Sequence, residues 1–258
     1  MATYIGIKGI QIPTVSSDPS NPVAGQVWYN TGSSALKGYG AQGTGAWASG
    51  GDLNSGRSAT ANGIGTSQSA GMVAAGNLSD AATDIVEEYN GTSWAEVGDV
   101  NEARRNRPGS SKNGSLTAAI IFGGDPAPTP NSDLTEEYNG TAWTEVGDLI
   151  LARRSIGGIG TSTAALCVAG STAPNTEVDN VESYNGTAWT EGPDLTTARD
   201  VVGTAGSQTA GLCFGGRTPP VTAKTESWDG TSWTEVTDLG TVRYAAASCG
   251  IQTAALCM

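Results

Sequence analysis

Five tryptophans, Trp47, Trp94, Trp143, Trp189 and Trp233, each precede two ionisable residues at fixed distances. An Asp stands five residues after each of them (Asp52, Asp99, Asp148, Asp194, Asp238), and an Arg stands ten after each (Arg57, Arg104, Arg153, Arg199, Arg243). Carboxylates near guanidiniums could exchange protons with a substrate or hold an anionic one. A catalytic centre, however, breaks the symmetry of the repeats that carry it, and these residues keep that symmetry. They are expected to be structural, making the same local ion pair or backbone hydrogen bonds in every unit.

The rest of the chemical inventory is sparse. With no His in 258 residues, Ser-His-Asp and Cys-His catalysis and every His-containing metal site are excluded. Cys167, Cys213 and Cys257 each lie 24 residues after a repeat Trp and read as small buried hydrophobes rather than redox or metal groups. Cys249 falls outside that pattern. Asn90, Asn139 and Asn185 sit in Asn-Gly-Thr, which has the form of a glycosylation sequon but also of a turn. No catalytic residue, cofactor or metal ligand is expected, and the chain reads as a non-enzyme. Three guanidiniums outside the repeat, Arg105, Arg107 and Arg154, are expected to lie on a solvated loop face.

Elements that hold these residues follow from the period. The Trp recur every 44 to 49 residues, and an aromatic (Tyr89, Tyr138, Tyr184 or Trp228) stands five residues before each of the last four. Downstream of the first four Trp, an apolar run ends in a small pair: Ala75-Gly76, Gly123-Gly124, Ala169-Gly170 or Gly215-Gly216. Such a period, rich in β-formers and Gly, predicts a four-stranded propeller blade per unit. In the third unit the strands are placed near 154–160, 163–169, 179–184 and 187–191, with Asn185-Gly186 as a type I′ turn. Burying each Trp removes roughly 150–250 Å² from water, an upper-bound gain of about 4–6 kcal/mol.

Composition agrees with one all-β domain. There are 37 Gly, 38% apolar and 15% charged residues. The net charge of −12 argues against nucleic acid or an anionic membrane as partner. No apolar stretch reaches membrane-spanning length, and MATYIGIKGIQIPTV does not read as a signal peptide. Synthesis in a cytoplasm without export is expected.

From about 47 to 258 the order of apolar run, Gly pair, Tyr, Trp and downstream Arg resembles the kelch repeat. It departs in a Tyr-to-Trp spacing shorter by one residue and in Ala-Gly for Gly-Gly in two units. Copper-dependent enzymes of the galactose-oxidase type share that repeat, but the resemblance would imply His ligands that this chain lacks. SWDGTSW (227–233) resembles the Asp-containing turn of sialidase propellers, though a hairpin turn accounts for it. The fifth unit runs only to TAALCM, so its two missing strands are expected from residues 18–47. The predicted architecture is an all-β, five-bladed kelch-like β-propeller, its last blade closed by N- and C-terminal strands. Its boundaries are 1–17 for an attachment segment, carrying Ile5, Ile7, Ile10 and Ile12, and 18–258 for the propeller.

Segments after the small pairs differ between units: 77–84, 125–134, 171–180 and 217–225. Strand order gathers them on one face, where variable loops on a rigid scaffold bind partners. The candidate ligand-contacting residues are Asp80, Asp84, Asp125, Thr129, Asn131, Asp133, Asn175, Asp179, Arg217 and Lys224.

Residues 18–47, with Asp18-Pro19, then Gly25-x-x-Trp28-Tyr29-Asn30-Thr31, then Leu36-Lys37-x-Tyr39 and Trp47, resemble a segment of tailed-bacteriophage structural proteins. The YNGTxWTEVGDL phrasing likewise resembles kelch-like proteins of marine phages. The resemblance implies a virion component, such as a tail fibre or tail-tip protein, that binds host-surface glycan. Its alternatives are a capsid or tail decoration protein without a host ligand, and a carbohydrate-active propeller enzyme. The implied partners are other virion proteins through the N-terminal segment, host-surface carbohydrate and further copies of the chain, without nucleic acid or membrane insertion.

Overall fold

The computed structural model describes residues 13–20, 26–38 and 50–258, apart from 62, 127, 129 and 174. It is all-β and divides into two compact units, at Ser49/Gly50. Ile5, Ile7, Ile10, Ile12, Tyr39 and Trp47 lie outside the described residues.

In the first unit, β1 (Thr14–Val15) pairs in parallel with β2 (Val27–Asn30), and β2 pairs antiparallel with β3 (Ala35–Gly38). One carboxylate organises it. Asp18 accepts hydrogen bonds from Lys37 Nζ (2.7 Å), Asn30 Nδ2 (2.6 Å) and Trp28 Nε1 (3.0 Å). Those donors, Lys37 first, hold its carboxyl down at about 2. The spaced Asp, Trp, Asn and Lys of this segment are therefore one hydrogen-bonded cluster.

The second unit contains four sheets of four antiparallel strands. The first sheet is β4 (Ile64–Ser67), β5 (Ala70–Leu78), β6 (Ala81–Tyr89) and β7 (Trp94–Glu96). The second is β8 (Gly109–Ser110), β9 (Ala119–Phe122), β10 (Thr135–Tyr138) and β11 (Trp143–Glu145). In the third, β12 (Gly157–Thr161), β13 (Ala164–Val168), β16 (Val181–Tyr184) and β17 (Trp189–Glu191) surround a small hairpin, β14 (Ser171–Thr172) with β15 (Thr176–Glu177). The fourth is β18 (Gly203–Ser207), β19 (Ala210–Phe214), β20 (Thr225–Trp228) and β21 (Trp233–Glu235). A two-stranded sheet follows, β22 (Ser248–Ile251) with β23 (Ala254–Cys257).

Identical phrases produce identical registers. The repeat aromatic lies directly across from the repeat Trp in each four-stranded sheet (Tyr89↔Trp94, Tyr138↔Trp143, Tyr184↔Trp189, Trp228↔Trp233). Their ring centroids are 5.0–5.3 Å apart, in the range of favourable cross-strand aromatic pairs. This pairing leaves four residues in the connection, not two, so the expected type I′ turn is not formed. Only the Gly is left-handed (Gly186, φ 91°), while Asn185 Oδ1 accepts the amides of Thr187 (2.9 Å) and Ala188 (3.0 Å). Asp229 substitutes for the Asn in the fourth sheet; Thr231 and Ser232 donate to it and hold its carboxyl down at about 2.

The core lies between successive sheets. Tyr138 and Trp143 pack with Ile64, Met72 and Val86 of the sheet before. Tyr184 and Trp189 pack with Ile120 and Phe122, and Trp228 and Trp233 with Ile159, Leu166 and Val181. Neighbouring first strands come so close that a Cβ on Gly158 would overlap the Ser110 backbone. Cys167 and Cys213 are buried in these interfaces, which pushes their thiols up to about 12 and about 11.

The repeat Arg and Asp are structural, but they do not pair with each other. Each Asp accepts the amide of a residue thirteen positions earlier: Asp99 from Val86, Asp148 from Thr135, Asp194 from Val181 and Asp238 from Thr225, at 3.0–3.3 Å. For Asp52 that amide is residue 39, outside the described residues. Each Arg pairs instead with a Glu seven residues before the next Trp: Arg57–Glu87 (2.6 Å), Arg104–Glu136 (2.5 Å), Arg153–Glu182 (3.0 Å) and Arg199–Glu226 (2.8 Å). These side chains are at most 2% exposed. Glu182 also accepts the amides of Ile150 (2.7 Å) and Leu151 (3.2 Å), in the connector from the preceding sheet. The fifth Arg, Arg243, has no carboxylate among the described residues and donates only to Cys257 O, at 3.4 Å.

Turns entering the first strands form a backbone chain. Ala59 O accepts Arg107 N (3.0 Å), Asn106 O accepts Ser155 N (2.8 Å), Ser155 O accepts Val201 N (2.9 Å) and Val201 O accepts Ala245 N (3.1 Å). The two strands expected to complete the last sheet are, where described, paired to one another as β2 and β3 and to β1.

Removing one member of a fully buried ion pair strands the other charge and costs about 3–5 kcal/mol. Arg199→Ala and Glu182→Ala should each lower the urea-unfolding free energy by about that much, whereas Arg243→Ala should cost under about 1 kcal/mol.

Candidate binding face

The variable segments are tied to the turns just described. Residues following the repeat Arg bridge to them in order: Ser58 with Asn77, Arg105 with Asp125, Arg154 with Ser171, and Asp200 with Arg217. The loops and the turn chain therefore share a face of the second unit. There the candidate residues separate into groups with different work.

Asp125, Arg217 and Lys224 are engaged internally. Asp125 is buried, 3.6 Å from Arg105 Nε and 3.5 Å from Arg154 Nη1, and accepts Asn106 Nδ2 at 2.7 Å. Arg105 also donates to Asp80 O (2.8 Å), and Arg154 to Pro130 O (3.1 Å) and Asn175 Oδ1 (2.6 Å). The two extra guanidiniums thus tie the loops of three successive sheets together. Arg217 grips the buried Asp200 in a two-point contact (3.1 and 2.6 Å). Lys224 bonds Glu235 (3.0 Å) and Thr197 (3.2 Å).

Asp84, Asp133 and Asp179 contribute through their backbones, accepting the amides of Val100, Leu149 and Leu195. Of their side chains, those of Asp84 and Asp133 are exposed, like Asp80 and Asn175. With its carboxamide oxygen toward Ala173, the orientation that satisfies both neighbours, Asn131 accepts Ala173 N (2.6 Å) and donates to Pro130 O (2.5 Å). Thr129 lies outside the described residues. The surface left to a ligand is a rim of carboxylates and amides set on loops locked from beneath. Among the described residues, no three Cys, Asp or Glu side chains are grouped as a metal ion would require.

One functional-looking residue was not singled out from sequence. Lys112 occupies the register position at which the third, fourth and fifth units have Gly160, Gly206 and Gly250. Its Nζ reaches across to other sheets, donating to Ser248 Oγ (2.5 Å) and Thr204 O (2.8 Å). Burial pushes the ammonium down to about 8, with only the thiols of Cys213, Cys249 and Cys257 acting to raise it. The signal was available as a break in the repeat, since a Lys stands in the turn beyond β8 where the later repeats have Gly. The carboxylates Glu87, Glu136, Glu182 and Glu226 were legible in the same way, by their constant distance from Trp.

No protein-family model matches the chain, and no curated protein matches it.

Lys112 gives a signed pH effect. Its folded value, about 8, lies below the ordinary 10.5, so between those values the unfolded chain holds a proton that the folded chain has released. Stability contributed at this site must then rise with pH across that window. In urea titrations at pH 7.5 and pH 10, Lys112→Met should be favoured over wild type at the lower pH, and the gap should shrink at the higher.

Proposed function

We propose that this chain is a non-enzymatic binding protein of a tailed-phage particle, built as a five-bladed kelch-like β-propeller. The observation that carries the ring is the turn chain. Five successive units, each starting with the same Arg-anchored turn, are joined by four backbone hydrogen bonds, and the first four of them repeat one strand order and one aromatic register, the fifth contributing β22 with β23. Radial repetition of four-stranded sheets is the propeller arrangement.

The binding role rests on what varies. Everything that repeats is spent on the scaffold: the aromatic pairs, the Arg–Glu pairs and the Asp-to-amide bonds. Exposed groups on the loop rim, Asp80, Asp133 and Asn175 among them, differ from unit to unit and suit a hydroxyl-rich ligand such as host-surface glycan. The virion assignment rests on the resemblance of residues 18–47, whose Asp18, Trp28, Asn30 and Lys37 form a single cluster, and of the repeat phrasing. A decoration role has its own support: Ile251, Leu256 and Met258 form an exposed apolar group on the last sheet, suited to docking on another particle protein.

The test is binding of labelled protein to bacterial cells and isolated envelope polysaccharides, compared with the triple variant Asp80→Ala, Asp84→Ala, Asp133→Ala. Saturable binding weakened at least tenfold in a variant of unchanged thermal midpoint is the expected outcome. A folded wild-type protein that binds no cell or polysaccharide would overturn the receptor-binding reading in favour of decoration.

A further inference from the structure

The turn chain has one link missing. Among the described residues, no backbone hydrogen bond joins Ala245 to Ala59. A cavity of about 280 Å³ lies at that place, lined among others by Thr60, Arg107, Lys112, Ala246 and Ser248. Its size suits one sugar ring.

The second unit departs from the repeat here twice. Its turn is one residue longer, with Asn106 (φ 57°) and Arg107 (φ 59°) both left-handed where each other unit uses a single residue. Pro108 takes the place of Ile156 and Val202 against the small pair, and this releases Arg107 from the core position. Adjacent left-handed non-Gly residues carry a conformational cost, and such costs gather at binding sites. The second departure is Lys112 itself.

Both departures bring positive charge to the cavity. Among the described residues, the half-buried guanidinium of Arg107 has no hydrogen-bond acceptor and no ion-pair partner, unlike Arg105, Arg154 and Arg217. Among the described residues, no carboxylate side chain lines the cavity, in a chain whose net charge is −12. Asp200 and Tyr244 act on Arg107 electrostatically from outside the lining. A cation without a hydrogen-bonded partner, a second fixed cation and small apolar walls together make a site for an anion on a small ring.

The geometry points to this gap between the fifth and first Trp-anchored repeats as a binding site for one acidic sugar residue, its carboxylate or sulfate held by Arg107 in the field of Lys112. This deepens the proposed glycan-binding role and rests on it for the choice of a sugar. Arg107 supplies a planar two-donor contact. Lys112, tied to Ser248 and Thr204, acts as a fixed charge.

Isothermal titration with glucuronate, glucose 6-sulfate, glucose and inorganic sulfate tests it. Glucuronate or glucose 6-sulfate should bind at least tenfold more tightly than glucose. Arg107→Gln should abolish the difference without moving the thermal midpoint, because the side chain makes no bond in the fold. Equal binding of glucose, an unaltered Arg107→Gln variant, or inorganic sulfate binding as tightly as both acidic sugars would each overturn the assignment. Acid-sugar binding that depends on Arg107 supports the site even if no cell is bound. Cell binding that acidic sugars fail to compete supports the broader reading and overturns this one.

Discussion

The buried pair of repeat Arg and Glu is the contact on which the second unit depends. Taking a guanidinium and a carboxylate out of water costs several kcal/mol each, and only near-complete hydrogen bonding offsets it. Here it is close to complete. Arg199 donates to Glu226 and to the carbonyls of Cys213, Gly215 and Lys224. Glu226 in turn accepts Thr196 N from the incoming connector. One pair thus binds the middle strands of a sheet, the end of its loop and the link from the sheet before it. A sheet placed wrongly would leave a charge buried and unpaired, so the pair acts on geometry more than on net stability.

From that constraint the division of labour follows. Backbone groups that a loop would otherwise leave unsatisfied are taken up by Arg, Glu and Asp in every unit, so the segments beyond the small pairs can change length without exposing the scaffold. In the first three sheets a second layer has been added, with Arg105 and Arg154 closing on Asp125. These loops are ordered platforms, and a ligand meeting them would pay little ordering entropy.

Departures from the repeat are where chemistry other than scaffolding becomes possible. Lys112 in place of a glycine and the longer turn at Asn106 and Arg107 both belong to the second unit, and both line the gap where the turn chain is open. A strictly repeated chain would have put an apolar residue and a glycine there and left no free charge.

Local signals were read correctly wherever one residue type has one job at a fixed spacing. Strands of the third unit were placed to within about three residues, Trp143, Trp189 and Trp233 fall in the cores while Trp94 is only half-buried, and Cys167 and Cys213 are buried small side chains while Cys257 is half-buried. The type I′ turn was misassigned because Asn-Gly permits two loop lengths, and the choice belongs to the aromatic pair across the strands. The Arg partner was missed because Asp lies nearer in sequence, and Coulomb energy depends on separation in space.

What the sequence determined alone is the unit: its period, strand pattern, aromatic pair, lack of His and acidic balance, all properties of composition and short-range order. Tertiary structure decided which charges meet, which of the loop residues face solvent and which are spent as ties, and that Arg107 and Lys112 line one cavity. Those outcomes join residues from different repeats, and no spacing along one chain can specify a distance that exists only after the sheets have packed.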